Sequence, residues 1–186
     1  MTTFVIFSGL PGTGKSTLAN RLARELRWPL LRIDDVVGDV PENPGIDFWD
    51  SRVQVLLELC EAQLQLGINV IADSVFMNKD RLHAEAIARE QKALFRPIHT
   101  FMSDERAWQE RVTRRVIELN NPAMATWDQI QYQRKHFHAW QPDAALFVDG
   151  VQPAEQNYAD VLQFVTTANK VLKPLEEVPW VKGKYH

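Results

Sequence analysis

Nine residues near the start of the chain, Gly9-Leu10-Pro11-Gly12-Thr13-Gly14-Lys15-Ser16-Thr17, combine residue types that phosphate binding needs at the spacing it needs. They contain a complete G-x-x-x-x-G-K-[ST] pattern, whose glycines let successive backbone N–H groups turn inward around phosphate oxygens. A helix opening near Lys15 adds its positive end to that nest. In this chemistry Lys15 reaches the β- and γ-phosphates, and the Ser16 hydroxyl ligates Mg2+. The apolar run Phe4–Ser8 precedes the motif and an amphipathic segment follows it. That is the strand–loop–helix context a phosphate loop demands. Gly9 through Thr17 are therefore the expected nucleotide-binding residues, with ATP and Mg2+ as the expected ligands and Lys15 as a catalytic cation.

Acidic residues close two further apolar runs. Leu30-Leu31-Arg32-Ile33 is followed by Asp34 and Asp35, and Asn69-Val70-Ile71-Ala72 by Asp73. The carboxyl ends of strands line the ligand crevice in open α/β sheets, so these acids are expected beside the phosphate loop. Asp34 is the candidate base that accepts the proton of an attacking hydroxyl. Asp35 is its alternate, a substrate hydrogen-bond acceptor, or an N-cap for a following helical turn. Asp73, in the manner of a Walker-B acid, is the candidate Mg2+ ligand opposite Ser16. Asp149 before Gly150 reads as the start of a turn whose loop borders the nucleotide base.

Arg106, Arg111, Arg114 and Arg115 share one predicted helix, with Arg111 and Arg115 on the same face. Guanidinium forks match phosphate oxygens, and phosphoryl transfer calls for positive charge around them. Arg111 and Arg115 are thus candidate nucleotide-binding and catalytic residues. The competing reading is a solvated helix face in which Glu110 pairs with Arg114. The next segment carries Gln129, Gln133, Arg134 and His138 and suits a lid over the nucleotide. His136 and His138 lack companions for a metal site and read as surface histidines.

Short apolar runs alternating with helical segments position these groups, the pattern of βα units in a parallel sheet. Strands are predicted at Phe4–Ser8, Leu30–Ile33, Asn69–Asp73, Leu94–Phe101 and Ala145–Val148. Helices are predicted at Lys15–Leu26, Phe48–Leu66, Lys79–Lys92, Asp104–Leu119, Thr126–Trp140 and Ala154–Val171. The loop Val40–Gly45 opens where a substrate pocket belongs, and residues 38–52, with Asp47 and Arg52 as candidate substrate ligands, read either as part of that pocket or as a capping subdomain packed on the sheet. Asn120-Asn121-Pro122 interrupts the helical region as a possible hinge. One domain is expected over residues 1–172, with the lid at about 116–140 and a C-terminal tail at 173–186.

Composition narrows the partners. A formal net charge of −3 gives no overall field for a polyanion, which argues against general nucleic-acid binding. The one cysteine, Cys60, falls in an apolar helical run and reads as an inert buried thiol. No stretch reaches the ~18 apolar residues of a membrane span, so a cytoplasmic protein is expected.

The order of GLPGTGKSTLA at 9–19, LRIDDV at 31–36, NVIADSVFMNKDRL at 69–82, RVTRR at 111–115 and NNPAMATWDQIQYQ at 120–133 resembles the small P-loop kinases that include the kinase domain of polynucleotide kinase, zeta toxin and chloramphenicol phosphotransferase. The resemblance covers roughly residues 4–150. It implies a three-layer α/β P-loop NTPase fold with a five-stranded parallel sheet of adenylate-kinase type and a small helical lid. It also implies an ATP·Mg donor and a small, unidentified hydroxyl-bearing acceptor, with Asp34 as base and Arg111 and Arg115 on the lid side. Polynucleotide kinases usually carry an arginine shortly after the Asp-Asp pair, where this chain has Val36, Val37 and Gly38. Two alternatives remain: a kinase of nucleic-acid ends or nucleotide sugars, favoured by a basic groove near Lys79, Arg81 and Arg89, and an ATP-binding switch that hydrolyses slowly without an acceptor.

Overall fold

A computed structural model describes residues 1–36, 48–119, 125–138, 140–167 and 172–175. The elements run β1 (Thr3–Ser8), α1 (Lys15–Leu26), β2 (Leu30–Arg32), α2 (Ile33–Val36), α3 (Phe48–Gln65), β3 (Val70–Asp73), α4 (Asn78–Glu90), β4 (Leu94–Phe101), α5 (Glu105–Leu119), α6 (Trp127–His136), β5 (Leu146–Asp149) and α7 (Ala154–Thr166). The five strands form one sheet in the order β2-β3-β1-β4-β5. Every pairing is parallel.

The sequence of β1, TFVIFS, is buried along its whole length, as a strand must be when helices cover both faces of its sheet. Its side chains alternate between two cores. Phe4 and Ile6 join Leu56, Leu57 and Cys60 of α3 and Ala84 and Ile87 of α4. Val5 and Phe7 join Leu18 and Leu22 of α1 and Val161 and Phe164 of α7. The result is the expected three-layer α/β architecture. All five carboxyl ends lie along one edge, so the loops after β1, β2, β3, β4 and β5 share the crevice side of the sheet. Cys60 is fully buried, and that burial pushes its thiol pKa well above the usual range.

Several boundaries differ from expectation by one or more residues, and two of the differences have local reasons. Strand β2 stops at Arg32 because Ile33 opens α2, whose first turn holds Asp34 and Asp35 at the helix's positive end. Helix α6 opens on a capping box of Thr126 and Gln129 but ends at His136, short of Trp140. The chain leaves the helix where Arg81 binds the His138 carbonyl and the buried Trp140 indole donates to Ser8 Oγ at 3.2 Å. Helix α7 ends at Thr166. The Val40–Gly45 loop and the Asn120–Pro122 break lie outside the described residues. Of the segment from 173 onward, Lys173 pairs with Asp143 at 2.8 Å, and Leu175 packs against the α3–α4 core.

Candidate active site

The loop between β1 and α1 is tied down from several sides. Ser8 Oγ donates to the Val75 carbonyl at 2.9 Å, and the Gly9 amide donates to the same oxygen at 3.3 Å. Thr13 Oγ1 donates to the Leu10 carbonyl at 2.8 Å and lies 2.7 Å from the Thr100 hydroxyl on β4. From α5, Trp108 Nε1 donates to the Pro11 carbonyl at 2.9 Å. Gly12 has φ +83°, and a Cβ there would stand 2.7 Å from Val112 Cγ2. Only glycine fits between the loop and α5 at this point. Such a loop presents its backbone donors without first having to order itself.

Lys15 is 8% exposed, and its Nζ donates to the Leu10 carbonyl at 3.0 Å. Burial lowers its pKa below the usual lysine value; Asp73 and then Asp34 oppose that shift, and Arg115 adds to it. The charges that act on the buried ammonium thus come from the end of β3, from α2 and from α5. Asp73 is 4% exposed, whereas the side chains of Asp34 and Asp35 are 73% and 62% exposed. An accessible carboxylate suits a group that must meet an incoming hydroxyl, and a buried one suits a fixed ligand.

Parallel pairing sets Phe7 beside Asp73, so the buried carboxylate stands next to the strand that feeds the phosphate loop. Ser16 lies in the first turn of α1, where its carbonyl accepts from Asn20. A serine hydroxyl and a buried carboxylate are hard oxygen donors, the set that Mg2+ prefers with a nucleotide completing its shell. The residues present therefore fit the metal. Thr17 is exposed one position further along α1.

On the other side, Arg111 Nη2 donates to the Gly150 carbonyl at 3.0 Å, and Nη1 meets Met102 Sδ at 3.6 Å. A Cβ on Gly150 would stand 2.8 Å from the Thr13 carbonyl and 3.2 Å from Arg111 Nη1. Hence the loop after β5, the phosphate loop and Arg111 converge on one glycine. Asp149 ends β5, and its carboxylate accepts from the Ser103 and Val151 amides, which holds its pKa below the usual range against a desolvation cost.

Other sequence expectations come out differently. Glu110 pairs with Arg106 at 3.0 Å, and Arg114 pairs with Glu118, so the expected Glu110–Arg114 contact gives way to the neighbouring i,i+4 partners. Arg81 is 1% exposed and donates to the Phe76 and His138 carbonyls. It is therefore absent from the surface groove suggested for Lys79, Arg81 and Arg89. Gln129 serves the α6 cap, and Arg134 pairs with Glu105 at 3.1 Å. Arg52 lies on α3, half-buried; Asp47 falls outside the described residues. Among the described residues no three His, Cys, Asp or Glu side chains are grouped to hold a metal.

One participant went unrecognised. Arg32, at the end of β2, faces three acids: Nη1 is 3.1 Å from Asp35, Nη2 3.9 Å from Asp34 and Nε 3.5 Å from Asp73. The signal was its place at a strand end, two residues before Asp34 of the Asp34-Asp35 pair. What it lacked was the β2–β3 register, which sets Arg32 opposite Asp73.

Comparison with known proteins bears on the fold. A sugar kinase from Janibacter sp. HTCC2649 superposes with a TM-score of 0.68 at 21% identity, covering 90% of this chain and 96% of that one. The Mycobacterium tuberculosis APS kinase in complex with AMPPNP and APS gives 0.64 at 17%, covering 89% and 98%. Chaetomium thermophilum Kti12 in complex with ADP-AlF3 gives 0.68 at 14%, covering 88% and 100%. At these identities the likeness establishes the fold. Among curated proteins, the replication factor C large subunit of Natronomonas pharaonis is 31% identical over 100 residues, which are 54% of this chain. The match spans only 20% of that protein's length. Among the described residues no helix is long and apolar enough to cross a membrane. The family model for the AAA_33 type of AAA domain matches residues 4–140, and the chain belongs to that family of P-loop domains.

Proposed function

We propose that this protein is an ATP- and Mg2+-dependent phosphotransferase that moves the γ-phosphoryl group onto a hydroxyl of a compact acceptor. The observation that carries the reading is that the buried Lys15 of the phosphate loop and the buried Asp73, set beside β1 by strand pairing, are accompanied by an exposed acid, Asp34, that shares the Arg32 guanidinium with Asp73. A binding loop alone needs no exposed carboxylate on its acceptor side; a transferase does. The similar solved structures include a sugar kinase, a gluconokinase and an APS kinase, which supports the same reading.

In this mechanism the loop amides and Lys15 hold the β- and γ-phosphates. Asp34 accepts the proton of the acceptor hydroxyl as its oxygen forms a bond to the γ-phosphorus. The bond from that phosphorus to the bridging oxygen breaks, and ADP departs with the electron pair. Arg111, anchored through Gly150, and Arg115 balance charge on the equatorial oxygens. Ser16 and Asp73 would hold Mg2+, which when bound would supply further charge neutralisation. The single unit of residues 1–172, with its lid at about 116–140, is part of the same proposal.

An ATP-consumption screen over sugars, nucleosides, aminoglycosides and oligonucleotide ends tests the reading, with Asp34→Asn as control. Acceptor-dependent ADP release is expected to fall about 100-fold or more in Asp34→Asn, the usual range for a lost general base, while AMPPNP binds as in the wild type. ADP release that is independent of every acceptor and unchanged in Asp34→Asn would instead favour a nucleotide switch.

A further inference from the structure

We propose that Arg32 is a positioning residue that competes with the metal for Asp73 while tethering the acceptor-side helix α2 to the end of β3. The inference rests on the nucleotide-transferase reading above. Its ground is the three-way contact of one guanidinium with Asp34, Asp35 and Asp73 at 3.9, 3.1 and 3.5 Å. The three contacts are not equivalent. Arg32 Nη1 makes a hydrogen bond to Asp35 Oδ2, whereas Arg32 Nε is buried and hydrogen-bonds nothing. Its approach to Asp73 is thus an ion pair without a hydrogen bond, the contact most readily given up to another cation. The Asp73 side chain is only 5% exposed, so a counter-charge there matters more than at the two solvated acids.

Two separable consequences follow from the guanidinium. Its charge lies beside a candidate metal ligand and weakens the attraction of that carboxylate for a cation. Its planar fork reaches from the β3 end to both acids of α2, so it also fixes where Asp34 stands relative to Asp73. A four-residue helix such as α2 has little internal stability, and a tether to the sheet supplies what its own hydrogen bonds do not.

Charge and fork are distinguished by Arg32→Gln, which removes both, and Arg32→Lys, which keeps the charge but not the fork. The readout that needs no acceptor is Mn2+ binding to the protein–AMPPNP complex, followed by electron paramagnetic resonance of the free ion. Arg32→Gln is expected to tighten Mn2+ binding roughly threefold to tenfold, the scale of a partly exposed charge contact, while Arg32→Lys stays within about twofold of the wild type. Once an acceptor is in hand, both variants are expected to lower kcat at saturating metal, with KM for ATP little changed. Unchanged or weaker Mn2+ binding by Arg32→Gln would overturn the proposal. If Arg32→Gln binds no AMPPNP, Arg32→Lys decides, and Mn2+ binding altered well beyond twofold in it would overturn the proposal. Failure of the wild type to bind Mn2+ with AMPPNP would instead overturn the nucleotide-site reading, and the Arg32 inference with it.

Discussion

Lys15 is where binding and stability pull against each other most directly. Its ammonium is buried and lowered in pKa by that burial, with Asp73 and Asp34 only partly compensating. A lysine whose folded pKa lies below its unfolded value gives up its proton first in the folded protein. Stability therefore rises as pH climbs from the folded pKa to the unfolded one, and at neutral pH the native state carries the charge at a cost. Lys15→Met is accordingly expected to leave the nucleotide-free protein at least as stable at pH 7 and to flatten the alkaline rise. The same change should weaken AMPPNP binding about tenfold to a hundredfold, as loss of a charge-assisted phosphate contact does. Thermal unfolding between neutral and alkaline pH, paired with calorimetric titration of AMPPNP, checks both halves. A melting temperature several degrees lower at neutral pH would contradict the argument.

Strand β4 carries the corresponding conflict at the level of an element, because its apolar alternation is interrupted by His99. That imidazole is 8% exposed and stacks on Phe137 at 5.6 Å, with Phe147 edge-on at 5.4 Å. Burial, then the positive charges of Arg81 and Lys15, push its pKa down to about 3, against a hydrogen bond to the Ser8 backbone. Between pH 6.5 and that value the unfolded chain takes up a proton that the native protein refuses. Its contribution to stability is complete above pH 6.5 and is lost progressively as the pH falls. Replacing His99 with Phe, which preserves an aromatic ring in the stack, should shrink the stability loss between pH 8 and pH 5 by about 2 kcal/mol. Urea unfolding at the two pH values measures it, and an unaltered pH dependence would refute the assignment. The same neighbourhood explains why Arg81 misled the sequence reading. Helical spacing on α4 says which residues share a face but not what covers it, and here Phe137 and Trp140, distant in sequence, lie 4.5 and 4.6 Å from the guanidinium. By contrast, the placement of Gly9–Ser16 after β1, of Asp34 and Asp35 just past β2 and of Asp73 at the end of β3 was legible, since chain-local spacing specifies it. Arg32 became visible only with the β2–β3 register, a pairing between segments about forty residues apart.

For the molecule as a whole, the informative feature is a third apolar cluster that belongs to neither face of the sheet. Leu10 of the phosphate loop meets Trp108 and Val112 of α5 and Ile130 of α6, with Val75, Met102 and Phe137 at its margin. Trp108 and Trp127 meet edge to face at 5.2 Å, joining α5 and α6 beside the loop. Helices α5 and α6 therefore share a core with the phosphate loop, so the order of the loop depends on how those helices are seated. Trp108 combines both links, an indole donor to Pro11 and a large apolar surface, and two substitutions separate them. Trp108→Phe keeps most of the packing and removes the donor, so AMPPNP affinity should fall about threefold to tenfold with a small change in stability. Trp108→Ala removes the packing as well and should cost roughly 3–5 kcal/mol in urea unfolding, with a further drop in affinity. Calorimetry with AMPPNP on both variants reads the coupling. If Trp108→Ala lost stability on that scale yet bound AMPPNP as tightly as the wild type, α5 and α6 would rest on the loop without helping to shape it.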